Sequence, residues 1–282
     1  MSGEIEIMKI EGKTAVVTGG ASGIGLGIVR ALAAAKAGAI VIADIDAGAA
    51  EKVAANLAAS GVRAVSVACD VSTEASMEQL ADFAWNAVGP VDLLFNNAGV
   101  AADGDPLAEG EAEARWQFDV NLFGVMNGTR VFARRMIEAG RKGWICTTSS
   151  HNALGAPHPN VAGYVASKHA SLGYMAAMQR QYGDKIGFSA LCPGAVNTQV
   201  WDCRRSRPDK FGGPERGNEA NAQFLQEHGL DPDLVGRMTV AGVENEEFFI
   251  FTHPEDIELV AERYRQAREA IGRQFPDYAL PD

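Results

Sequence analysis

The chain has 282 residues, 47% of them hydrophobic, with a formal net charge of −11 and an isoelectric point near 5.0. That is apolar material for one large α/β domain or two small ones, and too much for a disordered chain. The acidic balance argues against nucleic acid or an anionic membrane as partner, yet it permits a nucleotide held by backbone N–H groups.

Taken in chain order, strand-like and helix-like runs alternate. Residues 14–18 are β-branched and stop at glycine; residues 21–36 read as a helix. Residues 39–43 are apolar and end at Asp44, residues 48–60 are an Ala-rich helix, and residues 64–68 form the next strand, ending near Asp70. Residues 91–95, 143–147 and 186–191 complete a set of six apolar runs. Continuous apolar strands separated by helices indicate a parallel sheet covered on both faces, and right-handed crossovers favour a doubly wound arrangement. Residues 199–246 are polar and weakly periodic, with Pro208, Pro214 and Pro232, and read as a substrate lid inserted in the domain. Residues 247–252 are one more short strand, and residues 254–273 a terminal helix with Pro254 in its first turn.

Cys69, Cys146, Cys192 and Cys203 form no CxxC pair and read as buried, reduced thiols, which points to the cytoplasm; no Cys/His cluster has metal-ligand spacing, so no metal is expected. Glu4, Glu6 and Glu11 interrupt the start of the chain, giving no export signal, and no apolar stretch reaches membrane-spanning length.

Two constellations carry chemistry. Gly19 follows the first strand, and Ser22, Gly23, Ile24 and Gly25 open the first helix. Glycine there admits close backbone approach and the helix N-terminus offers unpaired N–H donors, so a pyrophosphate is the expected guest. Asp44 ends the second strand 25 residues after Gly19, flanked by Ala43, Ile45 and Asp46 rather than by a cation. A carboxylate there accepts from both adenosine ribose hydroxyls and repels a 2′-phosphate, which favours NAD over NADP; the bland alternative is a helix cap. Downstream, Tyr164 and Lys168 lie four apart, on one helical face, after the Ser149-Ser150 pair. Removing a hydride from an alcohol needs a base for the hydroxyl proton. Free tyrosine, with a pKa of about 10, is too weakly ionised at neutral pH, and an adjacent ammonium would lower that value.

These motifs together resemble the short-chain dehydrogenase/reductase family, in its short oxidoreductase branch. The resemblance spans residue 13 to about residue 198. It rests on Thr18-Gly19-x-x-x-Gly23-x-Gly25, Asn96-Asn97-Ala98-Gly99, Tyr164-x-x-x-Lys168, and Pro193-Gly194 with Thr198. It implies a single doubly wound Rossmann-like domain of about seven parallel strands, in the order 3-2-1-4-5-6-7, and hydride transfer between NAD(P) and a carbinol or carbonyl carbon. It further implies that Ser150 holds the substrate oxygen, that Lys168 also bonds the nicotinamide ribose, and that Asn121 anchors a water in the proton relay. Asp70 and Val71 would hold the adenine edge. Asn97, Ala98 and Gly99 would flank the cofactor ribose, with Pro193, Gly194, Val196 and Thr198 on the nicotinamide side. Ser150 lies 14 residues before Tyr164, one more than the family's usual interval, which a one-residue insertion near Ala156, Pro157, His158 and Pro159 would explain; Ser149 is the alternative.

The expected substrate is a secondary alcohol or ketone, apolar or aromatic, with His151 on the pocket wall and the insertion aromatics Trp201, Phe211 and Phe224 either closing over it, Trp201 foremost, or anchoring the loop to the core. Arg204, Arg205 and Arg207 read as a solvated basic run. The chain's end resembles members that act on bulky alcohols, including aryl-ether Cα-dehydrogenases. Two other functions fit the fold: a cofactor-sensing protein without turnover, which would be expected to lose Tyr164 or Lys168, and an epimerase or dehydratase, which the short C-terminal region disfavours. A homodimer or homotetramer is expected, since residues 112–139 and 163–182 carry Val125, Phe132, Ala170, Tyr174 and Ala177, more apolar surface than one sheet face needs, and the family pairs these helices across a two-fold axis.

Overall fold

The computed structural model describes residues 8–155 and 158–278. Glu4, Glu6, Ala156 and Pro157 lie outside them.

Seven strands form one parallel sheet: β1 (Thr14–Thr18), β2 (Ala39–Asp44), β3 (Ala64–Ala68), β4 (Leu93–Asn96), β5 (Trp144–Thr148), β6 (Gly187–Cys192) and β7 (Phe249–Phe251). Their order is β3-β2-β1-β4-β5-β6-β7, as expected. Ala15, Val16 and Val17 of β1 are buried beside Ile40, Val41 and Ile42 of β2, so both faces of the central strands are covered. On one face lie α1 (Gly23–Ala34) and α2 (Ala47–Ala59), whose apolar residues share a core with β1 and β2. On the other lie α3 (Glu74–Val88), α5 (Gly124–Glu138) and α6 (Ala162–Tyr182), around Met77, Leu80, Phe132, Met136 and Met175. The strand order reverses between β1 and β4, and the cleft opens there, beyond the carboxyl ends of the strands.

Two expectations need correction. The segment expected to be lid over residues 199–246 is not all loop: after short 3₁₀ turns and α7 (Glu219–His228), residues Pro232–Glu244 form a helix, α8. Val235, Val240 and Val243 of α8 are buried in the core. Gly236 lies against Gly27 of α1 so closely that a Cβ on Gly236 would sit 2.2 Å from the Gly27 carbonyl carbon. A lid can therefore extend only to about residue 230. Of the residues expected to face a partner chain, Val125 and Phe132 are buried within this one; Ala177 is exposed, and Ala170 and Tyr174 are half-buried.

The helix expected over residues 112–139 is interrupted. It begins as α4 (Glu111–Phe118), widens to a π-helical turn at Asp119–Phe123, and continues as α5. Such a turn inserts one residue into the helical register and re-aims the side chains in it.

Candidate active site

The floor of the cleft is a backbone turn. Gly19 and Gly23 have φ of 61° and 52°, in the left-handed region that favours glycine. A Cβ on Gly25 would stand 2.0 Å from the Gly19 carbonyl oxygen, so Gly25 shapes the turn from behind while Gly19, Ser22, Gly23 and Ile24 line the cleft. Ser22 occupies the N-cap of α1, yet its side chain caps nothing. The first N–H groups of α1 and a free serine hydroxyl thus converge at the positive end of the helix, a donor set suited to a pyrophosphate.

Asp44 stands at the carboxyl end of β2. It accepts from Ala21 N and Asp46 N, both at 3.0 Å, and so ties the glycine turn to the strand. The cap of α2 is Asp46, which accepts from Ala49 N at 2.9 Å, so the helix-cap reading of Asp44 does not hold. Asp70 and Val71 line the same end of the cleft, where the Asp70 carboxylate accepts from Ser72 N.

A buried polar stitch fixes the middle. Thr18 Oγ1 accepts from Asn97 N and Ala98 N at 3.0 and 3.1 Å, while Asn97 Nδ2 donates to the Thr18 and Gly19 carbonyls. Thr148 Oγ1 donates to Asn97 Oδ1, and the Thr148 carbonyl accepts from Lys168 Nζ at 2.7 Å. The Asn97 side chain is therefore a structural clasp, and Asn97, Ala98 and Gly99 together line the cleft.

At the far end, Ser150 and Tyr164 are hydrogen-bonded through their side chains, an interaction that favours the ionised phenol. Burial acts more strongly and pushes the Tyr164 phenol up from its usual value. The Lys168 ammonium sits 5.8 Å from the centroid of the Tyr164 ring, itself buried and lowered to about 8 by desolvation. The expectation that Lys168 lowers the Tyr164 pKa is thus not met in this structure: the cation is directed to the Thr148 carbonyl, and the serine supplies the favourable contact. Ser149 points elsewhere, donating to the Lys168 carbonyl at 3.2 Å. Asn121 lies in the π-helical turn, fully buried. Its amide accepts from Val100 N at 2.9 Å and donates to Val100 O at 2.8 Å and Ser167 Oγ at 3.0 Å.

The cleft has a volume of about 290 Å³ and runs from Asp44 past Tyr164 and Lys168 to Pro193, Gly194, Val196 and Thr198. Thr198 Oγ1 also caps the 3₁₀ turn that follows, accepting from Val200 N. The cleft wall includes the apolar Val100, Trp116, Val120, Cys203, Phe211 and Leu225, together with the polar Gln199, Arg205 and Ser206. Phe211 is one of the insertion aromatics expected to close over a substrate; the others escaped the sequence reading because loop, helix and flap meet there only in three dimensions. Three expected pocket residues are not among those lining the cleft: Ser150, which sits buried against Tyr164 while its neighbour Ser149 reaches the lining, His151 and Trp201. His151 lies on a 3₁₀ turn and directs its ring toward His158, with centroids 6.0 Å apart. Trp201 falls on the far side of a turn whose cleft-facing residues are Gln199, Val200 and Cys203; its backbone abuts Gly217.

Two arginines of the basic run are not solvated, whereas Arg205 is exposed and lines the cleft. Arg204 pairs with Asp103 and Glu113 at 3.1 and 2.5 Å, and Arg207 with Glu113 and Glu215, both at 3.0 Å. Asn218 and Asn221 donate to Asp103 as well. The flap is latched to α4 and to the loop after β4 by charge. Among the described residues no helix is long and apolar enough to cross a membrane, and no three His, Cys, Asp or Glu side chains are grouped to hold a metal ion. All four cysteines are buried thiols, none in a disulfide.

Comparison with known proteins gives concordant results. Residues 13–209 match the short chain dehydrogenase family. The chain is 32% identical over 278 residues to a C alpha-dehydrogenase of Sphingobium sp. SYK-6, covering 94% of this chain and 88% of that protein. It is 39% identical over 198 residues to a 1-deoxy-11-beta-hydroxypentalenate dehydrogenase of Streptomyces exfoliatus, covering 68% and 70% of the two. A short chain dehydrogenase/reductase from Burkholderia phymatum, solved in complex with NAD, superposes with a TM-score of 0.87 at 33% identity, covering 98% of this chain and all of that one.

Proposed function

The chain belongs to the short-chain dehydrogenase family, and we propose that it moves a hydride between NAD(H) and a secondary alcohol or ketone with an apolar or aromatic substituent. The observation that carries this is Tyr164, which lines the same cleft as Asp44 and is hydrogen-bonded to the buried Ser150. The nicotinamide ring, when bound, supplies the site that accepts or donates the hydride. The protein's part is proton handling and placement. Tyr164 takes the hydroxyl proton in oxidation and returns it in reduction. Ser150 holds the same oxygen and favours the phenolate. Lys168 fixes the ribose and places a positive charge beneath the phenol, and Asn121, with its backbone contacts, supports the relay behind it.

Asp44 supports NAD rather than NADP: both of its oxygens already gather backbone N–H groups at the adenosine end, and no cation flanks it for a 2′-phosphate. Gly19, Ser22, Gly23, Ile24, Asp70, Val71, Ala98, Gly99, Pro193, Gly194, Val196 and Thr198 complete the cofactor contacts, and Gly25 shapes the turn. The wall of Trp116, Val120, Phe211 and Leu225 suits a bulky, weakly polar alcohol, and the relative that matches nearly the whole chain is a C alpha-dehydrogenase. An aryl-ether Cα-alcohol is thus the first substrate to try. Residues 199–230 serve as the lid. The chain acts as one domain, as a homo-oligomer, and its four buried thiols suit a reducing, cytoplasmic setting.

The test is reduction of NAD and of NADP, followed by absorbance, with aryl-ether, alicyclic and short aliphatic secondary alcohols. Turnover with NAD on the bulky alcohols supports the reading. No turnover with any alcohol or ketone in either direction, despite cofactor binding, would assign the fold to sensing.

A further inference from the structure

The terminal helix α9 (Asp256–Gln274) has 19 residues, about 28 Å of helix, and no other described element packs along it. Its described side chains are exposed or half-buried from end to end. Ile257, Tyr264 and Ile271 repeat at seven-residue intervals and are 63%, 62% and 41% exposed. Val260 and Ala267 fall three residues after the first two, which completes an alternating three-and-four spacing. That is the seam of a helix meant to lie against another helix. A lone helix of this length is marginal in water, and this one keeps its apolar stripe toward solvent.

Charge specifies the partner. Glu255, Glu258 and Glu262 occupy the first half, whereas Arg263, Arg265, Arg268 and Arg273 occupy the second. Within the helix Arg265 ties up Glu262 and Glu269, Arg273 approaches that same Glu269 only at 4.0 Å, and Arg263 reaches His169 on α6. That leaves an acidic start and a basic end. A two-fold axis through Tyr264 places Ile257 opposite Ile271 of the partner subunit, and Glu255 opposite Arg273 of the partner subunit. The apolar seam and the charge gradient are thus satisfied by one operation, antiparallel pairing of the helix with its own copy. A parallel pair would set like charges side by side.

We propose that α9 is a self-association surface, pairing antiparallel with α9 of a second copy about Tyr264. This contact is separate from any pairing of α5 and α6, and it leaves the cleft untouched.

The full-length protein tests it in two ways. Light scattering should show the triple variant Ile257→Glu, Tyr264→Glu, Ile271→Glu at half the wild-type mass, with wild-type far-UV circular dichroism, because none of the three is buried. Single cysteines then define the geometry against a background of four buried thiols. Under mild oxidation Tyr264→Cys should cross-link to itself. Ile257→Cys and Ile271→Cys should each fail alone and cross-link when co-expressed. An unchanged mass in the triple variant, no cross-link at Tyr264, or a self cross-link at Ile257 would overturn the proposal. Flotation of the wild type, but not the triple variant, with anionic phospholipid vesicles would also overturn it, by assigning the stripe to a membrane surface.

Discussion

The sheet that carries the cofactor end of the cleft and the flap that closes the substrate end are held by opposite means. Around β1 and β2 the fixing groups are buried apolar side chains, and the polar residues at the cleft, Thr18, Asn97 and Thr148, spend their hydrogen bonds on one another and on backbone. In the flap, α7 buries no side chain, and the attachment is a latch in which Arg204 and Arg207, only 14% and 11% exposed, meet Asp103, Glu113 and Glu215. Apolar burial is insensitive to salt and position-specific; charge pairs at a partly open surface release more readily. The difference sets a half fixed by apolar burial against a half fixed by charge, which is the half proposed as the lid.

The largest effect should come from the half fixed by apolar burial. Tyr164→Phe should lower kcat by roughly a thousandfold, within the range for a lost acid–base group. Its affinity for NAD by calorimetry should stay within about twofold; near-normal kcat would remove Tyr164 from the chemistry. Next in size, Asp44→Ala combined with Ile45→Arg should swing the NAD/NADP ratio of kcat/KM by about a hundredfold, because a repulsion is removed and a phosphate partner added. An unchanged ratio would reduce Asp44 to its two backbone contacts.

Ser150→Ala has a direction as well as a size. Alcohol oxidation needs the Tyr164 phenolate, burial already raises its pKa, and the serine opposes that rise. Losing the serine leaves burial unopposed, so the rising limb of kcat/KM against pH should move to higher pH, with activity at pH 7 down by about ten- to a hundredfold. Ser149→Ala should not move that limb; if the two serines trade places in this assay, the loop is aligned wrongly. The smallest effect belongs to the flap. Arg204→Met should raise KM for bulky alcohols several-fold while leaving the affinity for NAD unchanged, and hydrogen exchange over residues 199–230 should quicken. Phe211→Ala should act on bulky substrates in the same sense, and Trp201→Ala should be nearly silent. Equal changes for large and small alcohols would make the latch a structural brace instead of a substrate control.

What could be read in the chain follows the same division. The strands were legible because short apolar runs alternate with helical ones, the first three ending at or near a glycine or an aspartate, and the observed bounds fall within two residues of the expected ones. Ser150 and Tyr164 meet side chain to side chain, while Asn121 lies buried against Val100 and Ser167. The helix α8 was hidden by Gly236 and Gly242, which thin its apolar periodicity, although Asp231 as cap and Pro232 in the first turn were a start signal that could have revealed it. The wall of Trp116, Cys203 and Phe211 was illegible for a different reason. It is assembled from three separate segments, and no local pattern distinguishes Phe211, which lines the cleft, from Trp201, which does not. The lowering of the Tyr164 pKa by Lys168 follows from helical spacing alone; burial and the pull of the Thr148 carbonyl on the ammonium outweigh it.

The contact between Gly27 and Gly236 gives the flap a second root. Its first end leaves the cleft at Thr198, and its other end enters α8, which is pressed backbone to backbone on the cofactor helix. Both ends of the segment are therefore fixed by elements that take no part in choosing a substrate. The stretch between them behaves as an interchangeable cassette: because closing a longer loop adds little further entropy cost, its length and sequence can drift or be replaced wholesale. New alcohols could be admitted in this way without disturbing the anchor points beside the dinucleotide site.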